Sequence, residues 1–347
     1  MADQTMRAAV ITGAKQVEVR EFPIPRPGAG EILMRVRACA LCTVEQRLFA
    51  GIVQRYPTVP GHEYSGEIIE IGEGTKTPLK VGDRISQGSS SCGTCYYCRI
   101  GENTRCQLGF GRDKPHEGIS GMWGLAEYKV LPLERVYKVA SDLPFEEAAL
   151  TEPTACVAHA HRRMNIKMGE NVLVIGAGTM GMLNMLVAKV SGARVMVSEI
   201  DEARAKKALG LGASAVFNPK DEDFVQKVKA ATDGLGPEVV IIAIGNAAAN
   251  KQAFQVLAPI GRMCFFASAH PAQEFCVDPN AVHSNQYTIT GSVSGDVQAF
   301  VVATRLLSHR ILNVKPLIET TFPIEKAAQA LEMAAAADRC YRVVVTM

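Results

Sequence analysis

Short stretches in which apolar and polar residues alternate dominate the first part of the chain, from Arg7 to Gly82. Alternation with a period of two is typical of β-strands that bury one face, and glycine and proline clusters separate the stretches. The stretches that show it best are AAVI, VEVREF, ILMRVRACA, GEIIEIG and GDRI. The pattern predicts a β domain built from short strands.

The pattern changes at about residue 145. FEEAALTEPTACVAHAHRRM predicts a helix, and beyond it continuous apolar runs alternate with amphipathic segments as far as RMCFFAS. Apolar strands separated by amphipathic helices are typical of a parallel sheet that helices cover on both faces. We therefore predict a doubly wound α/β domain over residues 157–293.

The remaining residues, 294–347, contain two more helical patterns, FVVATRLLSHRI and EKAAQALEMAAAA, and a last strand, YRVVVTM. We expect this segment to return to the first domain, residues 1–156, so that the α/β domain is an insertion. A chain of 347 residues is long enough for both, because single cores stop growing near about 250 to 300 residues.

Composition and charge exclude several functions. The chain carries 37 basic and 35 acidic side chains, a net charge of +2, and no basic stripe, so nucleic acid is not an expected partner. No uncharged apolar run approaches the roughly 20 residues that span a bilayer, and the first residues lack the pattern of a secretory signal. We expect a soluble cytoplasmic protein without a membrane partner.

A glycine motif stands at the start of the α/β domain. VLVIGAGTMGML places Gly176, Gly178 and Gly181 in GxGxxG spacing, with Thr179 and Met180 between them, directly after an apolar strand. Such glycines permit a tight turn and the close approach of a pyrophosphate to a helix N-terminus. The motif predicts a dinucleotide site.

Glu199 ends the next strand, RVMVSE, at about the expected distance from the glycines. A carboxylate there accepts hydrogen bonds from a ribose diol and repels a 2′-phosphate, which predicts NAD rather than NADP. The alternative is a structural turn with a solvated Glu199. Arg204, five residues on, either lies over the adenine or is a solvated helix residue.

Four of the ten cysteines crowd between residues 92 and 106, in a span of about 88–110 that lacks core-forming residues. The spacing is CxxCxxC, seven residues and a fourth cysteine, and it comprises Cys92, Cys95, Cys98 and Cys106. Four thiolates at this spacing match a closed tetrahedral zinc site with a structural role. An iron–sulfur cluster is the alternative, but the ferredoxin pattern ends differently.

A second group of metal-ligand types is scattered: Cys42, His62, Glu63 and Glu152. One thiolate, one imidazole and carboxylates from separate segments are the mixture that an open catalytic zinc site uses. Taken singly, His62 also fits a structural histidine, and Cys39 with Cys42 also fits a redox pair.

The motifs PGHEYSGEIIEIG, VGDRI, TEPTACVAHAHRR, GAGTMG and NVKPLI, with the four-cysteine span, resemble the medium-chain zinc-dependent dehydrogenase family from end to end. Within it the chain is most similar to the sorbitol and threonine dehydrogenase branch, because Glu152 and Pro153 stand where the alcohol dehydrogenase branch has a third zinc-binding cysteine. The resemblance implies a GroES-like β catalytic domain with an inserted Rossmann domain.

The resemblance also implies functional residues. Catalytic zinc would bind Cys42 and His62, with either Glu63 or Glu152 as the third protein ligand, and would polarise a secondary hydroxyl of a small polyol-like substrate for hydride transfer to NAD. Arg342 matches a position that reaches the cofactor pyrophosphate. We expect two zinc ions per chain and a homodimer or homotetramer.

The chain departs from the family at the positions that relay the substrate proton to solvent. Val44 and Arg47 stand where the family carries a relay hydroxyl and commonly a histidine, and Glu45 replaces an aspartate. Glu152, or Glu63 through a bound water, is then the nearest candidate base. Thr43 is a weaker candidate, because adjacent residues on an extended segment point in opposite directions.

Further departures leave the substrate open. Leu48 and Ser294 replace an aromatic residue and an arginine of the polyol branch, so sorbitol itself is not assumed. Two other functions remain: a zinc- and NAD-dependent epimerase without net NADH release, which the missing relay would suit, and a non-catalytic binding protein on the same fold.

Overall fold

A computed structural model describes residues 5–89, 91–108, 115–336 and 340–347. The chain divides into two compact units: Met1–Ala155 together with Gly295–Met347, and Cys156–Ser294. The division falls inside a continuous helix, Thr151–Met164. That these units are domains in the predicted sense, with boundaries at 156 and 293, stays a prediction.

Strands and short helices make up the chain before the division. The strands are β1 (Thr5–Gly13), β2 (Gln16–Pro23), β3 (Glu31–Ala40), β4 (Thr58–Val59), β5 (Glu63–Ile71), β6 (Arg84–Gln87), β7 (Ser120–Gly121), β8 (Tyr128–Pro132) and β9 (Val136–Lys138). The helices are α1 (Thr43–Phe49), α2 (Tyr96–Arg99), α3 (Phe145–Ala149) and α4 (Thr151–Met164). The single helix predicted from about residue 145 is therefore wrong in one respect, because Leu150 separates α3 from α4.

The second unit alternates strands and helices. Its strands are β10 (Asn171–Ile175), β11 (Arg194–Ser198), β12 (Ala215–Phe217), β13 (Val239–Ile242), β14 (Arg262–Phe265) and β15 (Thr288–Gly291). Its helices are α5 (Thr179–Val190), α6 (Glu202–Gly210), α7 (Phe224–Ala230), α8 (Ala247–Val256) and α9 (Pro279–Asn285). One helix follows each strand from β10 to β14, as a right-handed crossover requires.

The second unit forms one parallel sheet in the order β12-β11-β10-β13-β14-β15. This is the 3-2-1-4-5-6 order of a dinucleotide-binding fold, in which strand order reverses next to the first strand. β10 and β13 are apolar and buried almost throughout, as expected for strands that helices cover on both faces. The predicted doubly wound sheet is confirmed, and β15 is an edge strand of it.

The last part of the chain contributes α10 (Val297–Ser308), β16 (Ile318–Pro323), α11 (Ala327–Ala335) and β17 (Arg342–Thr346). Asp296 begins α10 by accepting a hydrogen bond from the backbone N–H of Ala299 at 2.8 Å, the usual role of an aspartate at a helix N-cap. β17 pairs with β3 in antiparallel fashion.

Two sheets form the first unit. One has four strands in the order β2-β1-β4-β7, and the other has seven, in the order β16-β17-β3-β5-β6-β9 with β8 also paired to β3. β3 is the most connected of these strands, since β5, β8 and β17 all pair with it. Its apolar side chains, among them Ile32, Met34 and Val36, are fully buried in the core of this unit.

Among the described residues, no helix has the length and apolar character needed to cross a membrane.

Candidate active site

Glycine occupies each of the three positions of the nucleotide motif for a different structural reason. Gly176 adopts a φ of +97°, where a Cβ would also meet Ile244 at 2.4 Å. A Cβ on Gly181 would lie 1.8 Å from the carbonyl oxygen of Gly176, so α5 packs too closely on the turn for any side chain. A Cβ on Gly178, by contrast, would meet nothing within 4 Å. The open space at Gly178 is where a ligand can approach the backbone.

Glu199 follows β11 and binds the same turn. Its carboxylate accepts hydrogen bonds from the backbone N–H groups of Ala177, at 2.6 Å, and of Ile200 and Asp201, at 2.8 and 2.9 Å. Glu199 is thus a buried acceptor at the carboxyl end of a strand, next to the glycine turn. Arg204 lies in the first turn of α6, where its backbone N–H caps onto Asp201.

The four cysteines of the span 88–110 come together. The sulfur atoms of Cys92, Cys95, Cys98 and Cys106 all lie within 4.8 Å of one another, and all four are free thiols. The sulfurs of Cys92 and Cys98 are 3.8 Å apart, the separation of about 3.8 Å that tetrahedral bonds of about 2.3 Å to one metal would give. Ser90 and residues 109–114 lie outside the described residues, so this span is described without them.

Backbone groups already face these sulfurs. The N–H of Cys95 donates to the Cys92 sulfur at 3.3 Å, and the N–H of Cys92 donates to the Cys106 sulfur at 3.4 Å. The hydroxyl of Thr94 also donates to Cys92 and, with the backbone contacts, lowers the pKa of that thiol to about 5. The arrangement therefore favours a thiolate, which is the form that binds a metal.

Strand pairing assembles the second group of ligand types. In the β3–β5 pair, Ala40 at the end of β3 stands opposite Glu63 at the start of β5. Cys42 follows β3 by two residues and His62 immediately precedes β5, so this register brings the three side chains together. The ligand atoms of Cys42, His62 and Glu63 lie within 4.8 Å of one another. We call these three residues the ligand group.

Gly61 allows His62 its position. It has a φ of +102°, and a Cβ there would meet the backbone nitrogen of Leu125 at 2.7 Å and the Cys39 sulfur at 2.8 Å. The glycine of the PGHE motif is therefore required for both conformation and space. Cys39 is fully buried and its sulfur contacts the Ala40 carbonyl, which gives it a packing role beside the ligand group.

Glu45 orients the ligand group through contacts with His62 and Cys42. It is fully buried in α1, and one carboxylate oxygen lies 2.9 Å from Nδ1 of His62 and 3.2 Å from the backbone N–H of Gly61. The other oxygen accepts a hydrogen bond from the backbone N–H of Cys42 at 2.9 Å. A carboxylate on one imidazole nitrogen leaves the other nitrogen, Nε2, as the acceptor for a metal.

Arg342 compensates the negative charge of the ligand group. Its guanidinium donates to a carboxylate oxygen of Glu63 at 2.5 Å and to the Leu41 carbonyl at 3.3 Å, and both charged side chains are buried. Arg342 thus pairs with Glu63, and its predicted role at a cofactor pyrophosphate stays a prediction. The second carboxylate oxygen of Glu63 is buried without a hydrogen-bond partner.

The electrostatics of the group favour a thiolate at Cys42. Burial alone would raise the pKa of this thiol, but the charge of Arg342 and the hydrogen bond from His62 lower it to about 6. A thiolate, an imidazole and a carboxylate with an unused oxygen form the donor set of a catalytic zinc site with an open position.

Glu152 is not part of the mutual set of ligand atoms, although it lies near enough for its charge to act on Glu63 and on Arg342. It stands in the first turn of α4, and Cys156 stands one turn further along the same helix. Of the two carboxylates left open by the sequence, the structure brings Glu63 to Cys42 and His62.

Thr43 lies differently from our expectation. It is the first residue of α1 rather than part of an extended segment, and its hydroxyl oxygen lies 3.6 Å from the Cys42 sulfur. The expectation that Thr43 points away from Cys42 on an extended segment is therefore wrong. Val44, at the position of the family's relay hydroxyl, is partly exposed.

Comparison with known proteins agrees with this architecture. Residues 28–141 match the alcohol dehydrogenase GroES-like domain, and residues 179–309 match the zinc-binding dehydrogenase domain. Over 332 residues the chain is 33% identical to L-threonine 3-dehydrogenase of Pyrococcus horikoshii, with 92% of each chain covered. The chain belongs to the medium-chain zinc-binding dehydrogenase family. The predicted family, the GroES-like and Rossmann fold class, and enzymatic action on CH–OH groups are confirmed.

Two further members of the family show its range. Sorbitol dehydrogenase of Halalkalibacterium halodurans is 30% identical over 341 residues, covering 94% of this chain and 96% of the relative. A Sinorhizobium meliloti 1021 protein, provisionally described as a zinc-binding dehydrogenase and solved with NADP bound, has a TM-score of 0.88 at 25% identity and covers 99% of this chain and 100% of its own. The relatives are thus named after different alcohols, L-threonine and sorbitol.

Sequence reasoning gave too little weight to two residues of this dehydrogenase. Glu45 was noted only as a conservative replacement, and Arg342 only as a cofactor contact, whereas both contact the ligand group directly. The signal for Glu45 was its spacing of three residues from Cys42, which places a helix residue at N3 facing its N-cap. Arg342 carried no local signal, because it lies 279 positions from Glu63.

Proposed function

We propose that this dehydrogenase is a zinc-dependent, NAD-linked oxidoreductase that interconverts a secondary hydroxyl and a ketone on a small polyol, sugar alcohol or related substrate. The observation that carries the proposal is the ligand group, in which Cys42, His62 and Glu63 converge within 4.8 Å. Family membership supports the chemistry, and the convergence of these three side chains supports their assignment as zinc ligands.

The ligand group fits a catalytic zinc ion. Cys42 would supply a sulfur, His62 its Nε2 nitrogen and Glu63 the buried oxygen that has no other partner. An unpartnered buried carboxylate oxygen costs about 1 to 3 kcal/mol or more, so its presence is best explained by a cation. These three ligands leave a fourth position for substrate oxygen.

The four cysteines fit a second, structural zinc ion. Cys92, Cys95, Cys98 and Cys106 together fill a tetrahedral coordination sphere, which leaves no position for a substrate. We therefore propose two zinc ions per chain. Their sites differ in that one stabilises a span without its own core and the other activates substrate.

The ligand group would hold zinc as a Lewis acid, which would lower the pKa of the substrate hydroxyl toward neutral pH. Glu45 would hold the His62 ring with Nε2 free for the metal. Burial raises the pKa of the Glu63 carboxyl well above its usual range, and the charge of Arg342 opposes that rise. Glu152 is the proposed proton acceptor that passes the proton to solvent, with Thr43 as the alternative.

The glycine turn and Glu199 are proposed to hold NAD. The start of α5 offers its N-terminal N–H groups and the open side of Gly178 to a pyrophosphate. Thr179 and Met180 are the first residues of that helix. We include both among the proposed cofactor contacts, together with Gly176, Gly181 and Arg204. Glu199 would turn its carboxylate toward the ribose diol.

The NAD proposal is tested by replacing Glu199 with alanine. The wild type should use NAD better than NADP, because the carboxylate repels a 2′-phosphate, and Glu199→Ala should reduce that preference by roughly 10-fold to 100-fold. The ratio of kcat/KM for the two cofactors is the measurement, with Glu202→Ala on the exposed first turn of α6 as a control. Equal use of both cofactors by the wild type would contradict the ribose assignment.

The reaction itself is tested with a substrate panel. The panel contains polyols, sugar alcohols including sorbitol, inositols, amino alcohols including L-threonine, and the phosphates of these compounds, with nicotinamide absorbance as the readout. Net NADH formation supports a dehydrogenase. Retention of NAD with substrate turnover but no net NADH would instead indicate the epimerase reaction, which nothing in the structure favours.

Two further features belong to this proposal. The edge strand β15 has an unpaired side in the described sheet, and we propose that it pairs with a second copy in a homodimer or homotetramer. We also propose a cytoplasmic location, because ten reduced cysteines suit a reducing compartment. Size-exclusion chromatography with light scattering tests the first point.

A further inference from the structure

A pocket of about 430 Å³ lies in the first unit, and two of its lining segments are close in sequence to the ligand group. One wall is α1, through Val44 and Leu48, and the other is the segment from Arg55 to Pro60. Cys42 immediately precedes α1, and His62 follows Pro60 by two residues. Both walls are therefore the chain segments that lead to the ligand group. A substrate whose hydroxyl meets that group places the rest of its body here.

Most of the pocket surface is apolar or already hydrogen-bonded. Val44, Leu48, Val53 and Met122 contribute apolar surface, and the hydroxyl of Tyr56 donates to the Leu48 carbonyl at 2.6 Å. The hydroxyl of Thr58 donates to the carbonyl of Ser120 at 3.1 Å. A neutral polyol needs a partner for each of its hydroxyl groups on entering such a surface, and the pocket offers few.

Arg55 is the only charged residue among the described residues that line the pocket. Its side chain is exposed, and it takes part in none of the ion pairs or side-chain hydrogen bonds given for the described residues. None of the described residues that line the pocket with Arg55 carries a carboxylate. A guanidinium without a protein partner, beside apolar surface, suits a planar or tetrahedral oxyanion that it can bind through two N–H groups.

We infer that the substrate is a small secondary alcohol that also carries an oxyanion, either a carboxylate or a phosphate. This inference rests on the proposed function and narrows its substrate class. The oxyanion pairs with Arg55, the aliphatic part lies against Val44 and Leu48, and the hydroxyl meets the ligand group. On oxidation the carbinol carbon loses hydride to NAD⁺ and the hydroxyl loses its proton to solvent, which gives the keto anion, NADH and H⁺.

Pairs of related compounds with and without an oxyanion test the inference. We would compare 3-hydroxybutyrate with 1,3-butanediol, for a carboxylate, and ribitol 5-phosphate with ribitol, for a phosphate. The wild type should favour the anionic member of at least one pair by about 10-fold to 100-fold in kcat/KM, since hydrogen bonds to charged groups contribute on that scale. The pair that shows the preference identifies the source of the oxyanion.

Arg55→Gln should remove that preference. We expect it to raise KM for the anionic compound by about 10-fold to 100-fold, with kcat and the parameters of the neutral compound unchanged. Arg305→Gln, an exposed arginine of α10 that does not line the pocket, is the matched control and should behave as the wild type. Equal preference in Arg55→Gln and the wild type, or a wild type that favours the neutral compounds, would overturn the inference.

A binding measurement separates this inference from the proposed function. Each anionic compound is titrated by calorimetry into zinc-replete protein saturated with NADH, a combination that cannot react. Weaker binding to Arg55→Gln supports the pocket assignment even if no compound in the kinetic set is oxidised, a result that would count against the proposed reaction. Equal binding by both proteins would overturn the assignment while leaving the proposed reaction intact.

Discussion

The four-cysteine span and the ligand group are two proposed metal sites that the chain builds in different ways. The four cysteines lie within fifteen consecutive positions, 92–106, and their sulfurs receive hydrogen bonds from nearby backbone N–H groups. The ligand group gathers Cys42 from the end of β3 and His62 and Glu63 from the start of β5. It needs buried charges, Glu45 and Arg342, to hold it.

The difference shows that a structural metal site and a catalytic metal site need different support from the protein. A closed thiolate site needs only the right residue type at short intervals, because the metal itself orders the segment. An open site must hold its shape while one position stays free for substrate, so its ligands need a second layer of hydrogen bonds and a rigid sheet beneath them. The β3–β5–β17 pairing supplies that sheet.

The largest expected effects come from removing one cysteine from each site. Cys42→Ser should lose one of two zinc ions and turnover by more than about 10⁴-fold, beyond a typical proton-transfer effect. Cys95→Ser should also lose one zinc, but it should mainly lower the melting temperature, while the protein that remains folded keeps its catalytic zinc. Metal content, kcat and thermal unfolding are measured together.

Cys276→Ser, an exposed cysteine outside both sites, is the control for these variants. If Cys95→Ser kept full stability with two metals bound, the structural assignment would be wrong. If Cys42→Ser kept both metals, the ligand group would not be the second zinc site.

The next effect concerns the proton. Glu152→Gln should lower turnover by about 10² to 10⁴-fold with zinc retained, because it removes the proposed acceptor and leaves the ligand group intact. Thr43→Val, which keeps the shape of the side chain, should have a small effect, and Val44→Ser should not raise turnover strongly. The measurement is kcat of the metal-replete proteins.

A loss in Thr43→Val with near-full turnover in Glu152→Gln would move the proton route to the hydroxyl beside Cys42. A strong gain in Val44→Ser would show instead that the family's relay position still governs the rate. Either result would show that the proton leaves by a route other than Glu152.

A smaller effect is expected from replacing Glu45, which holds the ligand His62. Glu45→Gln should weaken zinc binding at the ligand group by about 10-fold to 100-fold, since it removes the charge that holds His62. Glu45→Asp keeps the charge and should retain more of the affinity. Chelator competition measures the loss, and the four-cysteine zinc of the same molecule serves as an internal reference. Equal zinc loss from both sites would refute a specific role for Glu45.

How far the sequence predicts each region follows from the range of the contacts involved. The parallel sheet and the glycine turn were predictable, because apolar strands, glycine spacing and Glu199 all lie within short windows. The four cysteines were predictable for the same reason. That Glu63 rather than Glu152 lies beside Cys42 and His62 was not predictable, since both are carboxylates next to other candidate residues. Only the register of β3 with β5 separates them.

Thr43 and Arg342 show two other limits. The orientation of Thr43 depended on whether α1 begins at residue 43 or later, and helix boundaries are poorly determined by local patterns. The contact of Arg342 with Glu63 depends on a strand pairing between distant parts of the chain. No periodicity in the sequence reports which two strands become neighbours.

The contact between Arg342 and Glu63 also constrains the order of folding. These residues lie 279 positions apart, and Arg342 and Leu41 lie 301 positions apart. The intervening chain contains all of Cys156–Ser294. Closing a loop of that length costs more entropy than closing the short loop between β3 and β5, so we expect β3 and β5 to pair before β17 docks. Until β17 docks, the Glu63 carboxylate would lack the charge of Arg342.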